Sequence, residues 1–133
     1  MITRENTKTI YDLVCSAGDS HGDHVFLRYE DNDVIYEVTY RQFVADCMAV
    51  AAWAQESREL GHPVRVGLLG GSGHHYLAVM LGVMASGSVI IPMDVQMDAD
   101  TFCDCVSRSD EDVLFYDWDF RTLAEEAGSR CPA

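Results

Sequence analysis

Between Val66 and Met93 the chain carries no aspartate, glutamate, lysine or arginine. A charge-free interval of this length belongs either to a membrane-spanning helix, which needs about 20 consecutive apolar residues, or to buried elements of a water-bathed domain. Three interruptions decide for the second. Gly70-Gly71-Ser72-Gly73-His74-His75 punctuates the interval early, Ser86-Gly87-Ser88 punctuates it late, and Pro92 closes it. Its periodicity also changes. Val64 to Leu69 is a short apolar run, Tyr76, Leu77, Met80, Leu81 and Met84 recur at helical spacing, and Ser88 to Ile91 is apolar again. Strand, helix, strand is the reading these features impose.

The alternation continues downstream. Asp98 is placed to cap a helix carrying Phe102, Cys105 and Val106, and Val113 to Tyr116 forms a third apolar run. Asp119, Phe120, Leu123, Ala124 and Ala127 predict a last helix, with Gly128 to Ala133 expected to fray. Short runs apolar on both faces and separated by helices are the pattern of parallel strands covered on both sides, joined by right-handed crossovers. Upstream, Ile10, Leu13, Val14 and Ala17 predict a leading helix between a Thr7 cap and a Gly18 stop. Val25–Tyr29 and Val34–Val38, with Glu30-Asp31-Asn32-Asp33 between them, predict a β-hairpin. Thr39 followed by Gln42 is a capping box, and Val38 and Phe43 are placed to staple it. The helix it starts should bury Phe43, Cys47, Val50, Ala51 and Ala54 and run to about Leu60, ended by Gly61 and Pro63. The expected fold class is therefore α/β: a three-layer segment of parallel sheet, three strands with crossover helices, plus an amino-terminal helix and hairpin. Its 133 residues fit a single domain, 1–133.

A formal charge of −13 excludes a phosphate-backbone partner, which needs clustered lysine and arginine; no nucleic acid partner is expected. Lys8 is the only lysine. Five cysteines, an odd count without scaffold spacing, and a first segment without a signal peptide's apolar core point to a reducing cytoplasm.

The candidate chemistry is thin. Gly70 to Gly73 sits where loop amides could cradle a phosphate, but Tyr76 stands in place of the third glycine of a dinucleotide loop. His74-His75 stands in place of the lysine of a phosphate loop. A tight turn capped by Ser72 explains the loop as well. His74 and His75 are expected to point apart on a helix, and His21 and His24 to lie with Asp19 and Asp23 in a solvated loop. No metal site is expected. Cys103 and Cys105 should face apart, with Cys105 in the core stripe. No catalytic residue can be assigned.

Two stretches carry a resemblance. Val38-Thr39-Tyr40-Arg41-Gln42-Phe43 is similar to the opening motif of the acyl-adenylate-forming enzymes: a hydrophobic residue, Thr-Tyr, two variable positions, and Leu or Phe. Gly82-Val83-Met84-Ala85-Ser86-Gly87-Ser88-Val89-Ile90-Ile91-Pro92-Met93-Asp94 resembles the family's Leu-Lys-Ala-Gly-Ala, three apolar residues, Pro-Leu-Asp. Arg65-Val66-Gly67-Leu68-Leu69 stands where the family has its Arg-Val-Ala-Leu strand. Ala85 replaces the usual lysine, Ser86 and Ser88 replace alanines, and Val95 stands where proline is common. From Thr7 to about Ala127 the chain thus resembles the amino-terminal part of this superfamily, most of all the bacterial long-chain fatty acid–CoA ligases.

That resemblance implies an ATP-dependent reaction in which a carboxylate becomes an acyl-adenylate and coenzyme A then displaces AMP. It implies ATP, magnesium and coenzyme A for a complete enzyme but no cofactor bound by this segment, whose principal partner would be the rest of that enzyme. The family's phosphate loop, nucleotide motifs and catalytic lysine lie downstream of the region resembled, so the segment alone is expected to be inactive. The family's thiol tunnel passes the loop after the second parallel strand, here Asp94, Val95 and Gln96. Two other expectations follow from the residues: a free-standing acidic α/β module binding a nucleotide or protein through the Gly70–Gly73 turn or the acidic helices, and self-association through surface that truncation would expose.

Overall fold

A computed structural model describes residues 5–57 and 61–131. Ten principal elements follow one another: α1 (Ile10–His21), β1 (Val25–Asp31), β2 (Val34–Thr39), α2 (Tyr40–Glu56), β3 (Arg65–Leu69), α3 (His74–Ala85), β4 (Val89–Pro92), α4 (Ala99–Ser109), β5 (Val113–Tyr116) and α5 (Arg121–Arg130), with a short 3-10 turn at Trp118–Phe120. β1 and β2 form an antiparallel hairpin; β4, β3 and β5 form a parallel sheet in that order. Pro92 lies in the edge strand β4, where a residue without an N–H is tolerated.

The sheet is covered on both faces, as the apolar runs require. Val66, Ile90 and Phe115 pack with Val50 and Trp53 of α2 and Val79 and Val83 of α3. The alternate residues Leu69, Ile91 and Leu114 pack with Phe102 and Cys103 of α4 and Ala124 and Ala127 of α5. The hairpin and α1 close over the other side of α2 and α3 through Val14, Val38, Phe43, Cys47 and Ala78.

Several boundaries differ from expectation. Thr9, not Thr7, caps α1: its hydroxyl accepts from the Asp12 amide at 3.1 Å, and the Asp12 carboxylate accepts from the Thr9 amide at 3.0 Å. Thr9 has an acidic partner three residues on, whereas Thr7 has Ile10. Gly18 does not end this helix. A Cβ there would stand 3.1 Å from Val44, so this glycine lets α1 approach α2, and the cap is Gly22. His21 is accordingly the last helical residue and not part of a loop.

The hairpin loop is shorter than the four residues expected. Asn32 and Asp33 alone form it, with φ of 50° and 63°, the left-handed pair that matches the twist of the flanking strands. The Thr39–Gln42 capping box forms as expected, with Val38 and Phe43 buried beside it. The expected end of α2 near Leu60 falls outside the described residues.

α3 turns a different face inward. The expected stripe is partly exposed, at 37% for Leu77 and 36% for Met84, while Ala78, Gly82 and Val83 are buried. This helix is apolar nearly all round, so its periodicity singles out no face, and close packing against α2 selects the small residues. At its end the Gly87 amide donates to the Met84 carbonyl and the Ser88 amide to the Val83 carbonyl, with Gly87 at φ 76°: a Schellman stop. In α4 the deeply buried cysteine is Cys103 and Cys105 is only half-buried. α5 continues through Gly128 to Arg130 and does not fray at Gly128, because Arg130 is held by Asp100 at 2.6 Å and by Glu126.

One carboxyl sits against the grain of this packing. Glu111 lies over Gly67, accepts from the Ser109 hydroxyl at 2.9 Å, and leaves Oε2 buried without a hydrogen-bond partner among the described residues. Burial pushes its pKa up from 4.5, with the Ser109 bond and Arg65 opposing. A carboxyl whose folded pKa is raised stabilises most when protonated, and that contribution is lost as pH rises from 4.5 through the folded value. Glu111→Gln should therefore gain stability relative to the native chain between pH 4.5 and neutrality, read as diverging urea midpoints. Parallel pH curves for the two proteins would refute this.

Candidate functional site

The carboxyl ends of the three parallel strands converge on one edge of the sheet, the place where open α/β sheets take ligands. β3 delivers Gly70 to Gly73, β4 delivers Asp94 to Gln96, and β5 delivers Asp117. Between the first and last of these lies a cavity of about 290 Å³, walled by Leu68, Val79 and Phe115 and rimmed by the glycine loop, His74, Tyr76, Tyr116 and Asp117.

The loop's own hydrogen bonds define what the cavity can accept. The Gly71 amide donates to Asp117 Oδ2 at 3.2 Å, which sets a carboxylate against the backbone that a phosphate would need. Gly73, not Ser72, is the N-cap of α3, and no side chain caps that end. The helix end is open to the cavity, yet the nearest fixed charge is negative.

His74 and His75 do not point apart. Their ring centroids are 3.9 Å apart, and His74 also stacks on Tyr29 at 5.0 Å, which stacks on Tyr36 at 5.2 Å. A ladder of rings thus runs from the hairpin to the start of α3. Burial first, then the neighbouring His75, holds the His74 pKa below its usual 6.5, with Asp46 opposing. This lowered basicity favours a neutral His74 ring at pH 7. The other histidine pair leads elsewhere: His21 leans on the Tyr40 ring at 5.2 Å, and Asp23 pairs with Arg41 at 3.1 Å.

Asp94 and Gln96 are exposed and Val95 is half-buried against the Leu69–Phe102 cluster. The Gln96 amide donates to Asp94 Oδ1 at 2.9 Å and the Met97 amide to the Asp94 carbonyl at 3.3 Å, so the loop is a tight turn. It shares the sheet edge with the cavity without lining it. Asp117 and Tyr29 were not among the sequence candidates. Asp117 follows a parallel strand directly, which is a signal; the reach of Tyr29 to His74 depends on how the hairpin docks.

Magnesium and a triphosphate do not fit the described residues. Among the described residues no three His, Cys, Asp or Glu side chains gather to hold a metal. The single lysine, Lys8, precedes α1, and one amide of the glycine loop, that of Gly71, is already engaged by Asp117. No described helix is long and apolar enough to cross a membrane.

The family profile described as "AMP-binding enzyme" matches residues 16–131. No curated protein sequence matches the chain. Among solved structures, an anthranilate CoA ligase, AuaEII, in complex with anthranoyl-AMP superposes with a TM-score of 0.78 at 17% identity, over 94% of this chain and 23% of that one. A Rhodopseudomonas palustris protein described as a long-chain-fatty-acid CoA ligase gives 0.75 at 17% identity, covering 92% and 30%. The inhibitor-bound N-terminal domain of FACL13 from Mycobacterium tuberculosis gives 0.71 at 20% identity, covering 89% and 29%. At these identities the superpositions establish the fold, and this chain spans under a third of each neighbour.

Proposed function

Because the chain belongs to the AMP-binding enzyme family, we propose that it is the amino-terminal subdomain, residues 1–133, of an ATP-dependent, AMP-forming acyl-CoA synthetase acting on a fatty carboxylate in the cytoplasm. The observation that carries this reading is the family match over residues 16–131, joined to a parallel sheet in the order β4-β3-β5. Two of the neighbours are described as CoA ligases, one for anthranilate and one for long-chain fatty acids. In the reaction proposed for the complete protein, the carboxylate oxygen attacks the α-phosphorus of ATP, pyrophosphate leaves, and a thiol then attacks the acyl carbon and releases AMP.

Within that protein this segment is scaffold. Stabilising charge on a pentacoordinate phosphorus requires fixed cations close to its oxygens, and the edge of this sheet instead presents Asp94 and Asp117. Asp94, Val95 and Gln96 are proposed to border the thiol's path, their tight turn set at the sheet edge by the packing of Val95. The isolated chain is proposed to be inactive.

Pyrophosphate exchange and calorimetry test the reading together. The longer polypeptide containing this segment should form AMP and acyl-CoA with a fatty acid, whereas the 133-residue chain should show no exchange and no ATP affinity tighter than millimolar. The presence of a cavity beside the glycine loop leaves one other reading to test, a free-standing nucleotide-binding module. Micromolar ATP binding by the short chain, lost in Gly73→Asp, would establish that reading and overturn ours. A Cβ at Gly73 meets nothing within 4 Å, so that variant should fold.

A further inference from the structure

The mechanism leaves the cysteines unused, and two of them meet. Cys131 follows the last turn of α5, and its thiol rests on α4, 3.1 Å from the Ser107 hydroxyl and 3.6 Å from the Cys103 carbonyl. Residues 103 and 107 are one helical turn apart, so this thiol sits on the face of α4 from which the Cys103 side chain projects. Cys103 belongs to the buried cluster and Cys131 packs against it. Cys131 is half-buried, within reach of a small oxidant, while Cys103 is 7% exposed. Cys105 also packs against this cluster, but it lies two residues along α4, on a different face of the helix from Cys103.

A disulfide needs Cα atoms about 4.4–6.8 Å apart, and the Cys131 thiol already lies 3.6 Å from the backbone carbonyl oxygen of Cys103 and packs against the cluster that holds it. We propose that Cys103 and Cys131 form a peroxide-responsive dithiol that closes to an intramolecular disulfide and pins the end of α5 onto α4. The Cys131 sulfur, its proton lost, attacks one oxygen of the peroxide and becomes a sulfenic acid as the O–O bond breaks; the leaving hydroxide takes up the thiol's proton as water. The Cys103 sulfur then attacks the sulfenic sulfur, forming the S–S bond and releasing a second water. The two thiols lose two electrons, and hydrogen peroxide is reduced to two waters. The bond would also fix one wall of the groove of about 410 Å³ that Val106, Ser107, Arg130 and Cys131 line beside β5.

The test treats the reduced native chain with hydrogen peroxide, blocks remaining thiols, and maps peptides by mass spectrometry alongside thermal melts. A Cys103–Cys131 linked peptide two hydrogens lighter, in monomeric protein, is expected. A melting temperature raised by roughly 5 °C and restored by dithiothreitol should accompany it. Cys131→Ser should abolish both changes and Cys105→Ser should keep both. Linkage through Cys105, linkage only between molecules, or oxidation that stops at sulfenic or sulfinic acid would overturn the proposal. Because the linked peptide is read in the native sequence, a poorly folding variant would not rescue it.

Discussion

Gly82→Ala should destabilise the chain by about 2 kcal/mol, although alanine is the better helix former. Among the described residues α2 and α3 make the most extensive helix–helix contact, and Gly82 of α3 packs directly against Cys47 and Val50 of α2. A Cβ added there would stand 2.6 Å from the Cys47 carbonyl oxygen and 2.6 Å from Val50 Cβ. The first is a backbone atom and the second is fixed to the backbone, so no side-chain rotation relieves the overlap and the helices must separate. Separation strips contact from Ala78 and Val83 as well, so the loss outweighs the gain of about 1 kcal/mol in intrinsic helix preference. Gly128→Ala in α5 supplies the control: nothing lies within 4 Å of its Cβ, and it should stabilise by about 0.5–1 kcal/mol. Equilibrium urea denaturation reads both. Equal shifts for the two variants would show that α2 and α3 have slack at this point.

The contrast between these glycines marks how far the sequence could be read. Elements whose signal is local chemistry came through: the Thr39–Gln42 box, the Asp98 cap with its 2.8 Å bond to the Thr101 amide, and the glycine stop after α3. So did the parallel strands, because a run apolar on both faces has few other uses. Apart from the Thr9 cap of α1 and the two-residue hairpin turn, both carried by local chemistry, what failed depended on partners distant in the chain. Gly18 reads as a helix stop and is a contact with Val44. Large residues of α3 read as its buried stripe, yet α2 selects Ala78 and Gly82. Gly128 reads as a fraying point, yet Arg130 reaches Asp100 and holds the helix. The candidate site divides the same way. The edge of the sheet is predictable from topology, and Asp94 to Gln96 lie on it. The contact between Asp117 and Gly71 and the Tyr36–Tyr29–His74–His75 ladder arise only when β5 and the hairpin dock.

Phe102→Ala should lower stability by about 3–5 kcal/mol, a large part of what a domain of this size possesses. Its ring is 0% exposed and lies at the centre of the cluster joining α4 and α5 to the sheet. Removing it leaves a cavity whose walls come from separate elements, Leu69 of β3, Met93 after β4 and Ala124 of α5, so collapse onto the space would have to move the sheet edge itself. Trp118 is larger but 69% exposed, with Arg121 4.7 Å over its ring, and Trp118→Ala should stay within about 0.5 kcal/mol. The same cluster supports Val95, so the loss should also loosen the Asp94–Gln96 turn. In the longer polypeptide proposed to contain this chain, Phe102→Leu, which keeps most of the volume, should raise the KM for coenzyme A more than the KM for ATP if that turn borders the thiol's path. A uniform fall in kcat with both KM values unchanged would make Phe102 a matter of stability alone and remove that turn from the site.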